Sequence, residues 1–228
     1  MSRVALITGA SRGLGAELAG FLAKQGYGLV LTARGAGPLE ATAEELRKYG
    51  HRVVAISGDV SDAEHCRRLV EATGSFGRLD LLINNAGIGG GGNFGSHDFD
   101  ACRNVLDTNV LGPMRLAQSL LPLLHQSENP IVVNISSGAG SIASSDGGMM
   151  AYRISKAGLN MFTKTVAIDM PDLTVVSIGP GWVQTDMGGK NAAITPSESV
   201  SGILQVVSNL TQEDSGKFIN YQGKEVPW

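Results

Sequence analysis

Two residues suited to proton transfer, Tyr152 and Lys156, stand four positions apart in this sequence. In a helix, that step places both side chains on one face, one turn apart. A tyrosine with its ordinary pKa is a poor base at neutral pH, but a nearby ammonium favours the phenolate, so we predict that Lys156 lowers the pKa of Tyr152. Taken alone, such a pair is more often an ordinary surface pair. The prediction therefore depends on other residues that would share the site.

Two serines, Ser136 and Ser137, stand at the end of a short apolar run that is typical of a buried strand. A hydroxyl at that point can hydrogen-bond the oxygen of a substrate carbonyl. The pattern leaves open which of the two serines does so, and we prefer Ser137.

A glycine-rich turn follows the first predicted strand, with the sequence Thr-Gly-Ala-Ser-Arg-Gly-Leu-Gly from Thr8 to Gly15. Bare backbone and a helix N-terminus at this position can bind a pyrophosphate, so we predict a dinucleotide site there. The glycine spacing alone is a weak signal, and an ordinary glycine-rich turn is the alternative. The predicted cofactor-binding residues of this turn are Gly9, Ser11, Arg12, Gly13, Leu14 and Gly15.

The end of the second predicted strand indicates which dinucleotide is bound. Proteins that bind NAD at a glycine-rich turn between a strand and a helix place an acidic residue there, which binds the ribose hydroxyls. This chain has Thr32-Ala33-Arg34 at that position. Arg12 and Arg34 can both approach a 2′-phosphate, so the sequence favours NADP(H) over NAD(H); the alternative is that either arginine is a solvated surface residue. Asp59, just before Val60, is predicted to accept a hydrogen bond from the adenine amino group, with a loop or capping aspartate as the alternative.

Strand and helix patterns alternate along the whole chain. The predicted strands cover residues 4–8, 29–32, 53–57, 79–84, 131–136, 174–178 and 217–221. The predicted helices cover residues 14–24, 39–49, 63–72, 150–169 and 198–208, with a long helical region to about residue 125 in which Gly112 and Pro113 suggest an interruption. Near-continuous apolar strands joined by helices indicate an α/β, three-layer doubly wound fold with a parallel sheet. We predict one domain over residues 1–228, with ligands at the carboxyl ends of the strands.

The composition argues against several other classes of protein. The net charge is −3 and no run of like charges occurs, so no nucleic-acid partner is expected. No apolar run approaches the length of a membrane span and the N-terminus does not resemble a secretion signal, so we expect a cytoplasmic protein without membrane contact. Cys66 and Cys102 lie far apart, which gives no support for a disulfide or a metal site.

Together these motifs resemble those of the short-chain dehydrogenase/reductase family in its single-domain form. The resemblance covers nearly the whole chain and includes Asn84-Asn85-Ala86-Gly87, Asn109, and Pro180-Gly181 followed by Thr185. It implies a Rossmann fold that binds NADP(H), and an oxidoreductase that reduces a carbonyl or oxidises an alcohol. The substrate is then a small molecule, and the cofactor carries out the hydride chemistry.

The resemblance also implies a role for each matching residue. Tyr152 would be the general acid/base, and Lys156 would tune it and bind the nicotinamide ribose. Ser137 would orient and polarise the substrate oxygen. Asn109 would hold a water that links Lys156 to solvent, and the alternative is a helix-interior asparagine bonded locally. The other implied cofactor-binding residues are Val60, Asn85, Ala86, Gly87, Pro180, Gly181, Val183 and Thr185, the last two beside the nicotinamide carboxamide.

The segment between Ser137 and Tyr152 suggests a subgroup of the family. These residues are 15 positions apart, slightly more than is common in the family. The glycine-rich segment between them, and Gly-Lys-Phe and Val-Pro-Trp near the end of the chain, are similar to sniffer-type carbonyl reductases and C-factor-like proteins. We therefore expect reduction of a small aldehyde, ketone or quinone. A dinucleotide-binding signalling protein with incidental turnover is the alternative; an isomerase or dehydratase is a third, less favoured because such relatives usually carry a larger substrate domain.

Substrate choice is expected to depend on residues 88–94, 141–150 and 182–195. Met149, Met150 and Trp182 in these segments suggest an apolar pocket, because methionine and tryptophan give adaptable apolar contact. Packing beneath a loop is an equally good explanation of the same residues.

Relatives in the family commonly pair through the two long helices, so the resemblance implies a homodimer or homotetramer. The apolar residues expected at that contact are Leu106, Val110, Leu116 and Leu120. The alternative is that these residues face the sheet within one chain.

Overall fold

The computed structural model describes residues 2–90, 92 and 94–228. Positions 91 and 93, which belong to the first predicted substrate segment, lie outside these residues. The strands are β1 (Val4–Thr8), β2 (Gly28–Ala33), β3 (Val53–Ser57), β4 (Leu81–Asn84), β5 (Ile131–Ile135), β6 (Thr174–Gly179) and β7 (Phe218–Asn220). The helices are α1 (Gly13–Lys24), α2 (Ala36–Arg47), α3 (Ala63–Gly74), α4 (Phe99–Leu106), α5 (Gly112–Leu124), α6 (Met150–Asp169) and α7 (Pro196–Asn209).

The seven strands form one parallel sheet in the order β3-β2-β1-β4-β5-β6-β7. The chain starts in the middle of the sheet at β1, proceeds outward to β3, and then crosses back to β4 on the other side of β1. Leu6 of β1 lies in register with Val30 of β2 and Leu82 of β4. This arrangement confirms the predicted α/β, doubly wound Rossmann fold with a seven-stranded parallel sheet.

Helices cover both faces of the sheet because neighbouring residues of a strand point to opposite sides. In β1, Ile7 belongs to the apolar cluster that packs under α1, α2 and α7, whereas Leu6 belongs to the cluster under α3, α5 and α6. Both residues are fully buried. The near-continuous apolar strands of the sequence therefore reflect a sheet that is covered twice.

The long helical region before β5 is interrupted at a different point from the one expected. A π-helical turn, Asp107–Leu111, joins α4 to α5, and the helix then continues through Gly112 and Pro113. Pro113 lies in the first turn of α5, where its missing N–H has no intrahelical partner to lose. The interruption therefore comes from the wider turn that carries Asn109. Gly112 has a different role: a Cβ there would lie only 3.0 Å from the Val60 carbonyl oxygen, so glycine allows the close approach of these two segments.

Two residues expected at a contact between subunits cannot take part in one. Leu116 and Leu120 are fully buried in the apolar cluster beneath α5. They therefore face the sheet within one chain, which was the alternative to a contact between subunits. A 3.6-residue period places leucines on one face of a helix but does not say which neighbour covers that face. Leu106 and Val110 are half-buried, and the homo-oligomer stays a prediction.

Other expectations concern membranes and cysteines. Among residues 2–90, 92 and 94–228, no helix has the length and hydrophobicity needed to cross a membrane. Cys66 and Cys102 are both free and lie in α3 and α4, as ordinary helix residues.

Candidate active site

A crevice opens at the carboxyl ends of β1 and β4, where the connections leave the sheet in opposite directions. Such switch points are where ligands bind in open α/β sheets. Thr8 at the end of β1 ties the two strand ends together, because its Oγ1 accepts hydrogen bonds of 2.9 Å from the backbone N–H groups of Asn85 and Ala86. The Asn85 side chain returns a bond of 2.8 Å to the Thr8 carbonyl oxygen. The edge of the crevice is thereby held in one conformation.

The glycine-rich turn between β1 and α1 needs its glycines for space as well as for conformation. Gly9 has a φ of +68°, and a Cβ there would lie 2.8 Å from Asn85 Nδ2. A Cβ on Gly15, in the first turn of α1, would overlap the carbonyl oxygen of Gly9. Gly13, with a φ of +55°, faces the side chain of Thr185. The turn thus presents bare backbone and the start of α1 to the crevice, as a phosphate site requires.

One open cavity of ≈ 1050 Å³ occupies this crevice. It brings together every catalytic and cofactor-binding residue expected from the sequence except Asn109. The expected residues that line it are Gly9, Ser11, Arg12, Gly13, Leu14, Gly15, Arg34, Asp59, Val60, Asn85, Ala86, Gly87, Ser137, Tyr152, Lys156, Pro180, Gly181, Val183 and Thr185. Residues from seven separate parts of the chain therefore meet on one surface.

One end of the cavity carries positive charge together with the ionised carboxylate of Asp59. Arg34 is exposed after β2, beside Asp59 after β3. Burial raises the pKa of Asp59, but hydrogen bonds from Ser61 and the charge of Arg34 lower it further, so the net pKa lies below the ordinary value. Asp59 is not the cap of α3, because Asp62 accepts the hydrogen bond from the Glu64 N–H. The capping part of the alternative for Asp59 is therefore wrong, whereas its local hydrogen bonds from Ser61 fit the other part, a loop aspartate.

At the other end, Tyr152 and Lys156 share a face of α6 as predicted. Lys156 is buried, and its Nζ donates a hydrogen bond of 2.8 Å to the carbonyl oxygen of Ile135. Nζ lies 5.7 Å from the centre of the Tyr152 ring. Burial lowers the pKa of Lys156 to about 8. The ammonium is thus held close to the tyrosine ring, and its pKa lies close to neutral pH.

The pKa of Tyr152 moves in the opposite direction to the one expected. Burial raises the pKa of the phenol, and a hydrogen bond with Ser137 lowers it by a smaller amount. Desolvation disfavours the charged phenolate, and it outweighs the hydrogen bond from Ser137. Tyr152 is therefore a neutral phenol at neutral pH, which is the form that donates a proton.

The two serines after β5 have different surroundings. Ser136 is buried and its Oγ donates a hydrogen bond of 2.7 Å to the Asn160 side chain in α6. Ser137 is partly exposed, is the hydrogen-bonding neighbour of Tyr152, and accepts a bond of 3.2 Å from the Ala139 N–H. Ser137 is thus the serine whose hydroxyl lies with the tyrosine, in line with the preference from the sequence.

Asn109 lies behind the cavity wall, in the π-helical turn, instead of lining the cavity. Its Oδ1 accepts a hydrogen bond of 2.9 Å from the Ile88 N–H, and its Nδ2 donates to the Ile88 carbonyl oxygen and to Ser155 Oγ. These bonds join the end of β4 to α6. They match the alternative of local bonding, and the water-holding role of Asn109 stays a prediction.

A row of buried polar residues beneath the site was not identified from the sequence. Asn84 and Asn134 lie in register on β4 and β5 and share a hydrogen bond of 2.8 Å. Asn134 then bonds Thr163 of α6, which bonds Ser177 of β6. Polar residues at matching places in otherwise apolar strands were the available signal. The row fixes α6, and with it Tyr152, against the sheet.

The predicted substrate segments contribute unequally to the cavity. Met149 and Trp182 both line it, whereas Met150 is the first residue of α6 and is not among the lining residues. Neighbouring side chains at a helix start point in different directions, so only one of the two methionines faces the cavity. Asp186 and Met187 also line it and were not singled out from the sequence.

Comparison with protein families identifies the chain. A family model described as short chain dehydrogenase matches residues 3–195. The chain belongs to the short chain dehydrogenase family. This short chain dehydrogenase is therefore an oxidoreductase, and the match includes both the glycine-rich turn and the Tyr152–Lys156 pair.

Individual relatives agree with this assignment. The C-signal of Myxococcus xanthus is 44% identical over 156 residues, which is 67% of this short chain dehydrogenase and 94% of that protein. The NADPH-bound carbonyl reductase from chicken fatty liver superposes with a TM-score of 0.91 at 33% identity, covering 100% of this chain and 99% of that one. The carbonyl reductase Sniffer of D. melanogaster gives 0.89 at 32% identity, covering 100% of each chain. The predicted similarity to the sniffer and C-factor-like subgroup is thus confirmed.

Proposed function

We propose that the protein reduces the carbonyl group of a small aldehyde, ketone or quinone with NADPH, with Tyr152 as the proton donor. The observation that carries this proposal is the continuous cavity at the carboxyl ends of the strands. It runs from the glycine-rich turn and Arg34 at one end to Ser137, Tyr152 and Lys156 at the other. A dinucleotide bound along it would place its nicotinamide beside the tyrosine. The NADPH-bound carbonyl reductase of similar structure supports the same cofactor and reaction.

The residues present fit a phosphorylated dinucleotide. A Cβ on Gly9 or Gly15 would collide with Asn85 or with the Gly9 carbonyl, so only glycines let the turn pack this closely and offer its backbone and the start of α1 to a pyrophosphate. Arg12 and Arg34 line the cavity and supply positive charge for a 2′-phosphate, and β2 ends without a carboxylate. When bound, the reduced nicotinamide supplies a hydride to the carbonyl carbon.

The chain's own residues then handle the carbonyl oxygen. Ser137 and Tyr152 donate hydrogen bonds to it, and the phenol transfers its proton as negative charge develops. Lys156, charged near neutral pH, stabilises the phenolate left behind, because the two groups share a water-poor wall of the cavity. A buried phenol with a raised pKa is protonated at rest, which is the form that carbonyl reduction requires. Lys156 then passes a proton to the phenolate, and Asn109, which supports this wall, is proposed to hold the water through which Lys156 takes up a proton from solvent.

The first test measures NADPH oxidation by its absorbance with aromatic aldehydes, diketones and quinones as substrates. We expect turnover by the wild type and a loss of at least about a hundredfold in kcat for Tyr152→Phe, the scale of general acid catalysis. The matched control is Tyr49→Phe, because Tyr49 is an exposed tyrosine outside the cavity. Turnover that survives in Tyr152→Phe would contradict the proposed role of the phenol.

A second test addresses the cofactor. Replacement of Arg34 by alanine should raise KM for NADPH by about tenfold or more, since a charge-assisted hydrogen bond contributes about 1.5–3 kcal/mol. KM for NADH should change little, because NADH lacks the 2′-phosphate. Arg103→Ala is the control, since that arginine is exposed on α4 outside the cavity. An equal change for both cofactors would argue against a 2′-phosphate contact.

A second candidate function is signalling, with binding of the dinucleotide as the active property and turnover as an incidental one. The identity of 44% with C-signal favours it. The convergence of Ser137, Tyr152 and Lys156 favours catalysis, because a binding module has no need of a placed proton donor. Tight NADPH binding without turnover of any carbonyl in the panel would favour the signalling function.

A further inference from the structure

The segment before Tyr152 has a strained backbone at the edge of the cavity. Gly147, Gly148 and Met149 have φ values of +83°, +69° and +43°, so three successive residues are in the left-handed region. Among the described residues, Met149 is the only one other than glycine with a positive φ. This conformation is disfavoured for a residue that carries a Cβ, and such strain persists only where surrounding contacts impose it.

Arg153 supplies those contacts. Its Nε donates a hydrogen bond of 3.1 Å to the Gly148 carbonyl oxygen, and its guanidinium pairs with the Asp146 carboxylate. Its backbone N–H donates a bond of 3.0 Å to the Met149 carbonyl oxygen. The Arg153 side chain is only 16% exposed, so it is held against the turn instead of extending into solvent. One residue, next to Tyr152 in sequence, thus contacts the turn at three places.

The effect of this arrangement is to set the position of the Met149 side chain. Met149 lines the cavity together with Tyr152, three residues later in the chain, and Trp182 lines it from the segment after β6. Both residues are more than half exposed, so each has apolar surface left for a ligand. A thioether adapts its shape to a flat apolar group and makes favourable contacts with aromatic rings.

We propose that Met149 contacts the apolar substituent of the carbonyl substrate and that Arg153 is the positioning residue that holds Met149 there. This inference rests on the proposed function, and it adds the substrate class: carbonyl compounds whose substituent is aromatic or similarly large and apolar. Asp146 assists by fixing the guanidinium of Arg153.

The substrate part of the proposal is tested with benzaldehyde and propanal as probes. Met149→Ala should raise KM for benzaldehyde by about tenfold, the scale of losing one buried apolar side chain, while kcat and KM for propanal change less than about twofold. Arg153→Ala should shift the two KM values in the same direction as Met149→Ala, and Arg153→Lys should restore only part of the difference. The control is Arg103→Ala, another arginine paired with an aspartate but outside the cavity. Equal changes for both aldehydes would overturn the proposal.

The positioning part is tested without substrate, by a double-mutant cycle on thermal unfolding. In the wild-type background Arg153→Ala should lower Tm only slightly, because the loss of its contacts with the turn is offset by release of the strain at Met149. In the Met149→Gly background the same change should lower Tm more, because glycine adopts a positive φ at little cost and no strain is released. Additive losses of Tm would overturn the clamp. If the protein reduces no carbonyl at all, the proposed function fails with the substrate part, and this cycle still decides whether Arg153 holds the turn.

Discussion

Arg12 of the glycine-rich turn and Asp186 of the segment after β6 form an ion pair of 2.9 Å, although both side chains are about three-quarters exposed. Both residues line the cavity. The pair therefore joins the phosphate wall to the segment that covers the substrate end. Since Arg12 is also a proposed partner of the cofactor phosphates, Asp186 competes with them for the same guanidinium.

Asp186→Asn should therefore bind NADPH more tightly. Removing the carboxylate frees Arg12 and removes a negative charge from the phosphate site, and an exposed pair of this kind contributes up to about 1 kcal/mol, or about fivefold in Kd. The gain should shrink as salt is added, because exposed charges are screened. Fluorescence titration of NADPH at low and high salt measures both effects. Asp100→Asn, which breaks an equally exposed pair with Arg103 on α4, is the control; weaker binding by Asp186→Asn would contradict the competition.

The two serines after β5 should respond differently to alanine. Ser137→Ala should lower kcat by about a hundredfold with little change in stability, since it removes a donor to the developing oxyanion. Ser136→Ala should keep kcat within a few-fold but lower the free energy of unfolding by about 1–2 kcal/mol, because the buried Asn160 side chain loses its partner. Steady-state kinetics and urea unfolding of both variants make the comparison. A larger loss of kcat in Ser136→Ala would reverse the assignment.

Lys156 should make stability depend on pH in a definite direction. The pKa of Lys156 is about 8 in the folded chain, against an ordinary value of 10.5. Between these values the unfolded chain binds a proton that the folded chain has released, so the free energy of unfolding of the wild type rises with pH. Below this window both states are charged, and the folded state bears the full cost of burial, on the order of 3 kcal/mol.

The measurement compares urea unfolding of the wild type and Lys156→Met across that window, without cofactor. The stability of the wild type relative to Lys156→Met should increase with pH, because methionine does not titrate. Lys48→Met, at an exposed lysine, should show no such trend. A constant difference between wild type and Lys156→Met would show that burial does not shift the pKa of this lysine.

The glycine-rich turn should not accept a methyl group at Gly15. A Cβ there would overlap the Gly9 carbonyl oxygen and lie 2.6 Å from Asn85 Nδ2, so Gly15→Ala should lower the free energy of unfolding by about 1–3 kcal/mol and weaken NADPH binding. The control is Gly74→Ala at the end of α3, where a Cβ meets nothing within 4 Å. That change should be neutral or stabilise by up to about 1 kcal/mol, because alanine favours a helix over glycine. Thermal unfolding and NADPH titration of both variants test the contrast.

The sequence by itself determined the order of elements and the fold class. The order of elements and the fold class depend on local spacing. Short apolar runs, such as the one that ends at Thr8, indicate strands, and apolar residues at helical intervals indicate helices. The same locality explains why Tyr152 and Lys156 share a face of α6, and why the glycines after β1 read as a phosphate turn. The predicted start of β4 was two residues too early. Leu79 and Asp80 are buried like strand residues, but they lie before the first residue of the strand.

Only the tertiary structure decided the properties that depend on distant elements. The raised pKa of Tyr152 follows from how deeply α6 is buried, which spacing along α6 does not contain. Asn160 engages Ser136 and leaves Ser137 beside the phenol, and the sheet covers Leu116, so neither result is visible in the local pattern. A repeat along the chain tells which side chains point the same way. What they then meet, and therefore their charge state and their partners, is set by residues far away in sequence.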